Sequence, residues 1–151
     1  MKKSLIYYFC AFFTGLAVMA VEFLTTRMIA PYFGNSLYVW TNIVALVMLA
    51  LAAGYFFGGK LADKNHSEKI YFSIIAVTGI WILLLPFFSQ AVLTSLVEVW
   101  PDLSFMVRWG SFLGVFILIV LPEMLFGMLV PYTLKLLAKN ISDIGKLSGR
   151  V

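Results

Sequence analysis

Two carboxylates, Glu22 and Glu123, lie inside long apolar stretches of this sequence. An acidic side chain at membrane depth costs roughly 2.5 to 3.5 kcal/mol on insertion scales, so it usually pairs with a base, faces a water-filled cavity or binds a cation. Arg27 and Arg108 are the bases nearest to the same stretches. The four residues therefore predict either a site for a cationic ligand or acid–arginine pairs that serve only to anchor the protein.

The spacing between acids and bases does not choose between these interpretations. Glu22 and Arg27 are five residues apart, whereas side chains three or four residues apart share a helical face. Arg27 is equally well explained by a long side chain that extends to the lipid headgroups. Arg108 begins the fourth apolar run, where it serves as a surface anchor or as a counter-ion to Glu22 or to an anionic ligand.

A proline gives Glu123 a special setting, because Pro122 precedes it. Proline removes one backbone donor and frees the carbonyl one turn earlier. A broken helix with an acid beside it is a cation site in many transporters; the alternative is an interfacial glutamate between two short helices. Asn42 is expected to hydrogen-bond across helices. The candidate ligand-binding residues are Glu22, Glu123, Arg27, Arg108 and Asn42.

Composition determines which elements must position these residues. The chain has 151 residues, of which 62% are hydrophobic and 12% are charged, whereas soluble domains carry about 25% charged residues. The bilayer must therefore be its solvent. The net charge of +4 does not indicate nucleic acid, because the bases form short clusters between apolar runs. The single His66 and single Cys10 give no metal-ligand spacing, and we find no catalytic motif and expect no cofactor.

The apolar runs predict an all-α, polytopic membrane protein with four transmembrane helices. The expected spans are residues 5–30, 37–57, 70–88 and 105–130, with Pro31 ending the first helix and Gly34 and Asn35 forming the turn after it. Residues 88–102 are too short for a span and predict an interfacial or re-entrant segment. The alternative has five or six spans, with short helices around Pro86 and Pro122. The bundle would occupy residues 1–139, followed by a cytoplasmic tail, 140–151, or the start of a further helix.

The distribution of lysine and arginine predicts that both termini are cytoplasmic and that the protein is a multi-pass protein of the inner (plasma) membrane. Only Arg27 and Arg108 then fall outside. Nine bases lie on the cytoplasmic side: Lys2, Lys3, Lys60, Lys64, Lys69, Lys135, Lys139, Lys146 and Arg150. This orientation puts Glu22 near the exterior end of the first helix and Glu123 in the cytoplasmic half of the fourth. We therefore expect two ends of a path, or two unrelated pairs, rather than one shared site.

Small residues predict which helix faces pack together, because they let helices approach closely in lipid. In the second helix Ala50, Gly54 and Gly58 recur every four residues. In the first helix one face carries Glu22, which is therefore expected to point into the bundle. The members of that face are Tyr8, Ala11, Gly15, Val18 and Glu22.

Three segments together resemble the membrane part of the spermidine-synthase-like family, in which a major-facilitator-like bundle precedes an aminopropyltransferase domain. The first is Glu22–Thr41, with the sequence EFLTTRMIAPYFGNSLYVWT. The second is Gly54–Lys64, GYFFGGKLADK, which is similar to the loop between helices two and three of major-facilitator transporters. The third is Pro122–Tyr132, PEMLFGMLVPY.

The resemblance implies half of a major-facilitator bundle and a connection to polyamines, which are multivalent cations that suit buried acids. It implies that Gly59, Asp63 and Lys64 form a conformational loop motif in which Asp63 clamps the loop to a neighbouring helix end. Family members continue beyond a segment like Gly145–Val151 into a synthase domain that is missing here. Aminopropyl transfer is therefore not assigned to this chain.

Three functions follow as hypotheses. In the first, the bundle binds or transports a cationic small molecule such as a polyamine. In the second, it is a non-transporting membrane anchor or assembly subunit. In the third, it is a fragment of a membrane-bound aminopropyltransferase. Four helices are few for a transport pathway, so we expect a homo-oligomer or a separate partner chain, in a lipid bilayer and without nucleic acid.

Overall fold

The computed structural model describes residues 2–100 and 102–137, and the predicted tail at 140–151 lies outside them. These residues are almost entirely helical and contain no strand, which confirms the predicted all-α fold. The elements are α1 (Lys2–Phe33), α2 (Leu37–Lys64), α3 (Glu68–Val99), a short α4 (Leu103–Phe105), a π-helical turn (Met106–Gly110) and α5 (Ser111–Leu137). The last three are continuous, and we call them the fourth span.

Four helices in the described residues are long and apolar enough to cross a membrane, as expected. The shortest, α2, has 28 residues, or about 42 Å at 1.5 Å per residue, whereas the hydrocarbon core is about 30 Å thick. Each span therefore extends beyond the apolar layer at one end or both. The chain is embedded in a membrane as a bundle of four helices.

Several predicted boundaries are wrong, and proline is the common reason. Helix α1 continues through Pro31 to Phe33. Residues 88–99 extend α3 through Pro86 instead of forming a separate interfacial or re-entrant segment. Pro122 also lies inside a continuous helix, so the alternative with five or six short spans is wrong. Membrane helices tolerate proline where other groups satisfy the backbone that it frees.

The predicted turn between α1 and α2 is present. Gly34 has φ +74°, a left-handed conformation that glycine adopts without a Cβ clash. Ser36 then caps α2, since its hydroxyl accepts a hydrogen bond from the Val39 N–H. We call this side of the bundle the turn end, and the opposite side, where Asn65–Ser67 join α2 to α3, the loop end.

The fourth span is the centre of the bundle, and α1 is the most peripheral helix. In the most apolar window of the fourth span 56% of residues are buried, against 17% for α1. At the loop end the rings of Tyr7, Tyr71 and Tyr132 lie 5.6 and 6.0 Å apart in sequence order. At the turn end Phe33 packs over Gly110. These contacts fix the relative heights of α1, α3 and the fourth span.

Backbone-to-backbone packing joins α2 to α5 through Gly54, Gly58 and Gly127, which we call the glycine seam. A Cβ on Gly127 would lie 2.7 Å from the Leu51 carbonyl oxygen, and a Cβ on Gly54 or Gly58 would overlap the α5 backbone. Ala50 is buried in the same ladder. The predicted packing face of α2 is confirmed.

The predicted packing face of α1 is only partly correct. Gly15 is exposed, and a Cβ there would have no atom within 4 Å. Tyr8, Val18 and Glu22 are half-buried because they lie beside the face that packs. That face is made of larger side chains that fill the space between helices: Tyr7, Thr14, Val21, Thr25, Ile29 and Phe33.

Candidate functional site: two acids inside the bundle

Glu123 is the most unusual side chain in the described part of the chain. It is 0% exposed, among the largest fully buried side chains. Neither of its carboxylate oxygens has a hydrogen-bond partner. Buried polar groups are normally satisfied, and an unpartnered carboxyl in a low-dielectric interior is costly. The Glu123 carboxyl therefore lacks a hydrogen-bond donor or a cation within the described part of the bundle.

Glu22 lies on α1, which packs against α5. Its side chain is half-buried, and among the described residues it is the ionisable group that acts electrostatically on Glu123. This electrostatic effect favours one shared site over the two separate places expected from the sequence, and a shared site stays a prediction. We call Glu22 and Glu123 the acid pair; they lie on neighbouring helices at similar heights, and one carboxyl is fully buried while the other is half-buried.

The acid pair lies near the middle of the bundle. Glu22 is fifteen residues from Tyr7 and eleven from Phe33, which is about 22 and 16 Å along the helix. Glu123 is nine residues from Tyr132 and thirteen from Gly110, or about 14 and 20 Å. Because the hydrocarbon core is about 30 Å thick, both carboxyls lie deep inside it.

A hydrogen bond from α3 stabilises the proline that precedes Glu123. Pro122 has no N–H, so the carbonyl of Leu118, four residues earlier, lacks its helical donor. The indole N–H of Trp81 donates to that carbonyl over 3.0 Å. The helix therefore continues through Pro122 instead of breaking, and it holds Glu123 on a buried face. Sequence reasoning identified the freed carbonyl but not its donor, because the heights of α3 and α5 were unknown.

The acid–arginine pairs do not form among the described residues. Arg27 and Arg108 are exposed. The Arg27 guanidinium lies 5.1 Å from the Phe23 ring centroid, and that of Arg108 lies 4.9 Å from the Tyr38 ring centroid. Arg108 is fifteen residues from Glu123 in the same span, about 22 Å away. Both arginines are therefore exposed and lie over aromatic rings instead of pairing with the acids.

Asn42 makes the predicted kind of bond across helices. Its side-chain amide donates to the Arg108 carbonyl and to the Ser111 hydroxyl, both over 2.9 Å. The Arg108 carbonyl lies in the π-helical turn, where the regular helical bonding pattern is altered. Asn42 thus joins α2 to the fourth span at the turn end and does not reach the acid pair.

The loop motif lies at the loop end. Asp63 accepts a 2.7 Å bond from Lys135, near the end of α5. Gly59 has open space around it and Lys64 is exposed. Tyr132, which sequence reasoning missed, donates to the Asn65 carbonyl and accepts from the Ser67 N–H. The loop is therefore attached to α5 at two points, and a conformational role for Asp63 stays a prediction.

An apolar groove of about 500 Å³ lies between α1 and α3 on the loop side of the acid pair. It reaches Phe126, which is one turn along α5 from Glu123. Within residues 2–100 and 102–137 no cluster of three or more metal-ligating side chains occurs. No protein-family model, curated protein or solved structure matches this chain.

Proposed function

We propose that this chain is a membrane protein that binds a cationic small molecule of the polyamine class between Glu22 and Glu123. The observation that carries the proposal is the Glu123 carboxyl, fully buried with both oxygens unpartnered. A group in that state gains free energy from any ligand that supplies positive charge and N–H donors. Glu22, half-buried on α1, adds a second carboxyl and the more accessible side of the proposed site.

The surroundings of the acid pair favour an organic amine. Val21 and Thr25 on α1, and Ile119 and Phe126 on α5, are buried within one turn of the acids. Methylene groups of a polyamine would lie against such side chains while its ammonium groups meet the carboxylates. Calcium is held by six to eight oxygen ligands and magnesium keeps an octahedral shell, whereas the acid pair offers two carboxylates.

The structural contacts of the two arginines favour ligand binding over the anchor hypothesis. An anchor in which the acids serve only to pair with Arg27 and Arg108 needs contacts that the described residues do not make. The resemblance to spermidine-synthase-like membrane domains independently supports a polyamine, an aminopropyltransferase companion, and a plasma-membrane location. The same resemblance implies half of a major-facilitator bundle, which supports assembly with a second copy or a partner chain. Light scattering of the detergent-solubilised protein would measure the mass of the assembly.

Binding of radiolabelled spermidine to the purified protein in detergent tests the proposal. We expect Glu123→Gln and Glu22→Gln each to weaken binding by about tenfold or more, the scale of one lost charge-assisted hydrogen bond. Glu98→Gln is the matched control, since Glu98 is an exposed acid near the end of α3. Unchanged affinity in both acid-pair variants, or an equal loss in Glu98→Gln, would show that the acid pair is not the site.

Uptake of labelled spermidine into proteoliposomes then separates a transporter from a binding subunit. The same three variants serve in both assays. A transporter loses uptake in parallel with binding in Glu22→Gln and Glu123→Gln. A binding subunit shows the same affinities and no uptake beyond protein-free vesicles.

A further inference from the structure

We propose that the turn end carries a phospholipid site, in which Arg108 binds the headgroup phosphate and a row of aromatic rings receives an acyl chain. The site is separate from the acid pair, since Arg108 is about 22 Å from Glu123 along the fourth span. The lipid proposal therefore does not depend on polyamine binding. Its parts are a pocket around Arg108 and the rings that continue from it.

The pocket contains the guanidinium of Arg108, which is not neutralised by an acid in the described part of the bundle. A cavity of about 340 Å³ is lined by Tyr38, Asn42, Arg108, Trp109 and Phe112. Arg108 is exposed and forms no ion pair with an acid in the part of the chain that the structure describes. A guanidinium in this state offers a fork of N–H donors, which matches the geometry of a phosphate.

Contacts from α2 fix Arg108 on both its backbone and its side chain. The Asn42 amide donates to the Arg108 carbonyl over 2.9 Å. The Tyr38 ring centroid lies 4.9 Å from the guanidinium carbon. Arg108 also lies within a π-helical turn, and such turns are frequent at functional sites. Arg108 is therefore held in place, unlike an arginine that merely extends into water.

The position along the membrane normal is that of the lipid headgroups. Trp40, Tyr38 and Trp109 are all more than half exposed at the turn end. Tryptophan and tyrosine concentrate at the boundary between headgroups and hydrocarbon. A phosphate that reaches Arg108 from the surrounding bilayer is therefore at its natural depth.

A row of rings runs through the pocket and along the fourth span, and we call it the aromatic ridge. Successive ring centroids are 4.7, 6.1, 6.1 and 6.3 Å apart. Trp109 and Phe112 line the pocket as well, and Phe116 is 50% exposed. The ridge consists of Trp100, Phe105, Trp109, Phe112 and Phe116. A soluble phosphate would leave the ridge uncovered, whereas the chain of a lipid covers it, so the occupant is a phospholipid.

Native mass spectrometry of the delipidated protein, titrated with dioleoyl phosphatidylglycerol, tests the site. We expect Arg108→Gln to weaken binding by about tenfold or more, and Arg108→Lys to restore part of the loss because it keeps the charge. Arg27→Gln is the matched control, since Arg27 is also exposed over an aromatic ring. Arg108→Gln loses the contact with Tyr38 but keeps the backbone carbonyl that Asn42 contacts, so we expect the fold and spermidine binding to be unchanged.

Two ligand controls identify the part of the lipid that is recognised. Dioleoylglycerol, which lacks the phosphate, should bind the wild type as weakly as phosphatidylglycerol binds Arg108→Gln. Phe116→Ala should weaken dioleoyl lipid more than a short-chain analogue. The proposal is overturned if Arg27→Gln has the same effect as Arg108→Gln, if Arg108→Gln has none, or if millimolar glycerol phosphate displaces the lipid completely.

Discussion

Helix α5 meets α2 and α1 in opposite ways. Against α2 the glycine seam brings backbone onto backbone, with no room for a single Cβ at Gly54 or Gly127. Against α1 the contact is made by side chains, and it encloses one carboxyl completely while leaving the other half-buried. Lipid tails are as apolar as leucine, so close packing is what drives helices together in a bilayer. The glycine seam supplies that packing. The interface between α1 and α5 instead carries the acid pair, whose burial costs free energy.

The largest expected effect comes from filling the seam. Gly54→Val places side-chain atoms on the Met124 carbonyl and the Gly127 backbone, and we expect a loss of about 3 kcal/mol in the free energy of unfolding, because backbone cannot move aside as a side chain does. Unfolding by SDS titration in detergent micelles measures it. Gly15→Ala on α1 is the control and should be neutral or stabilising, since open space surrounds it. Equal losses in both variants would remove the contrast between the two sides.

The next effect has the opposite sign and lies on the α1 side. Glu123→Met replaces a buried unpartnered carboxyl by an apolar side chain of similar length, and we expect the ligand-free protein to gain about 1 to 3 kcal/mol in the free energy of unfolding. Added spermidine should stabilise the wild type and not this variant. The control Glu98→Met changes an exposed acid and should shift stability by about 0.5 kcal/mol or less. A destabilised Glu123→Met protein would mean that the carboxyl is structural.

A smaller effect is expected where α3 contacts α5. Trp81→Phe removes the donor to the Leu118 carbonyl that Pro122 leaves free, and the expected loss is about 1 kcal/mol, as for other interhelical hydrogen bonds in membranes. Thermal unfolding followed by circular dichroism measures it. Trp109→Phe, which changes an exposed tryptophan without such a bond, should have a smaller effect. A double variant with Pro122→Ala should recover the loss, since alanine restores the helical N–H; no recovery would exclude this explanation of the Trp81 contact.

The smallest effect is expected at the loop end. Asp63→Asn breaks the ion pair with Lys135, and both side chains are solvent-exposed, at 69% and 38%. Exposed ion pairs contribute little to stability, so the unfolding midpoint should match the wild type. Tyr132→Phe, which removes partly buried hydrogen bonds to the loop, should lower the midpoint measurably. If Asp63→Asn proves the more damaging of the two, the pair has a structural role beyond its local contact.

The parts of this fold that follow from local sequence properties could be predicted, and the parts that depend on helix heights could not. Hydropathy fixed the four spans, and the spacing of Ala50, Gly54 and Gly58 identified the seam. The face of α1 was misplaced by its small residues, because the gap it meets is wide enough for Tyr7 and Phe33. Proline misled the boundaries, since whether Pro122 breaks a helix depends on Trp81 in another helix.

The acid pair illustrates the same division. Both carboxyls were identified from their apolar neighbours alone, as was the role of Asn42 in bonding across helices. Their similar heights were missed, because counting residues from the ends of predicted spans put them in different halves of the membrane. The true heights come from contacts such as Tyr7 with Tyr71, and single-sequence reasoning has no access to those.

The π-helical turn at Met106–Gly110 has a consequence for how this segment can vary during evolution. A π-turn accommodates one residue more than the regular helix it interrupts, so it is structurally a one-residue insertion that the helix has absorbed. Related chains are expected to differ here by a gap of a single residue while the rest of the span aligns without interruption. Deleting Val107 should convert the turn to α-helix and rotate everything before it by about 100°. Phe105 would then turn away from Trp109, so a change of length at this turn would break the aromatic ridge without replacing any of its residues.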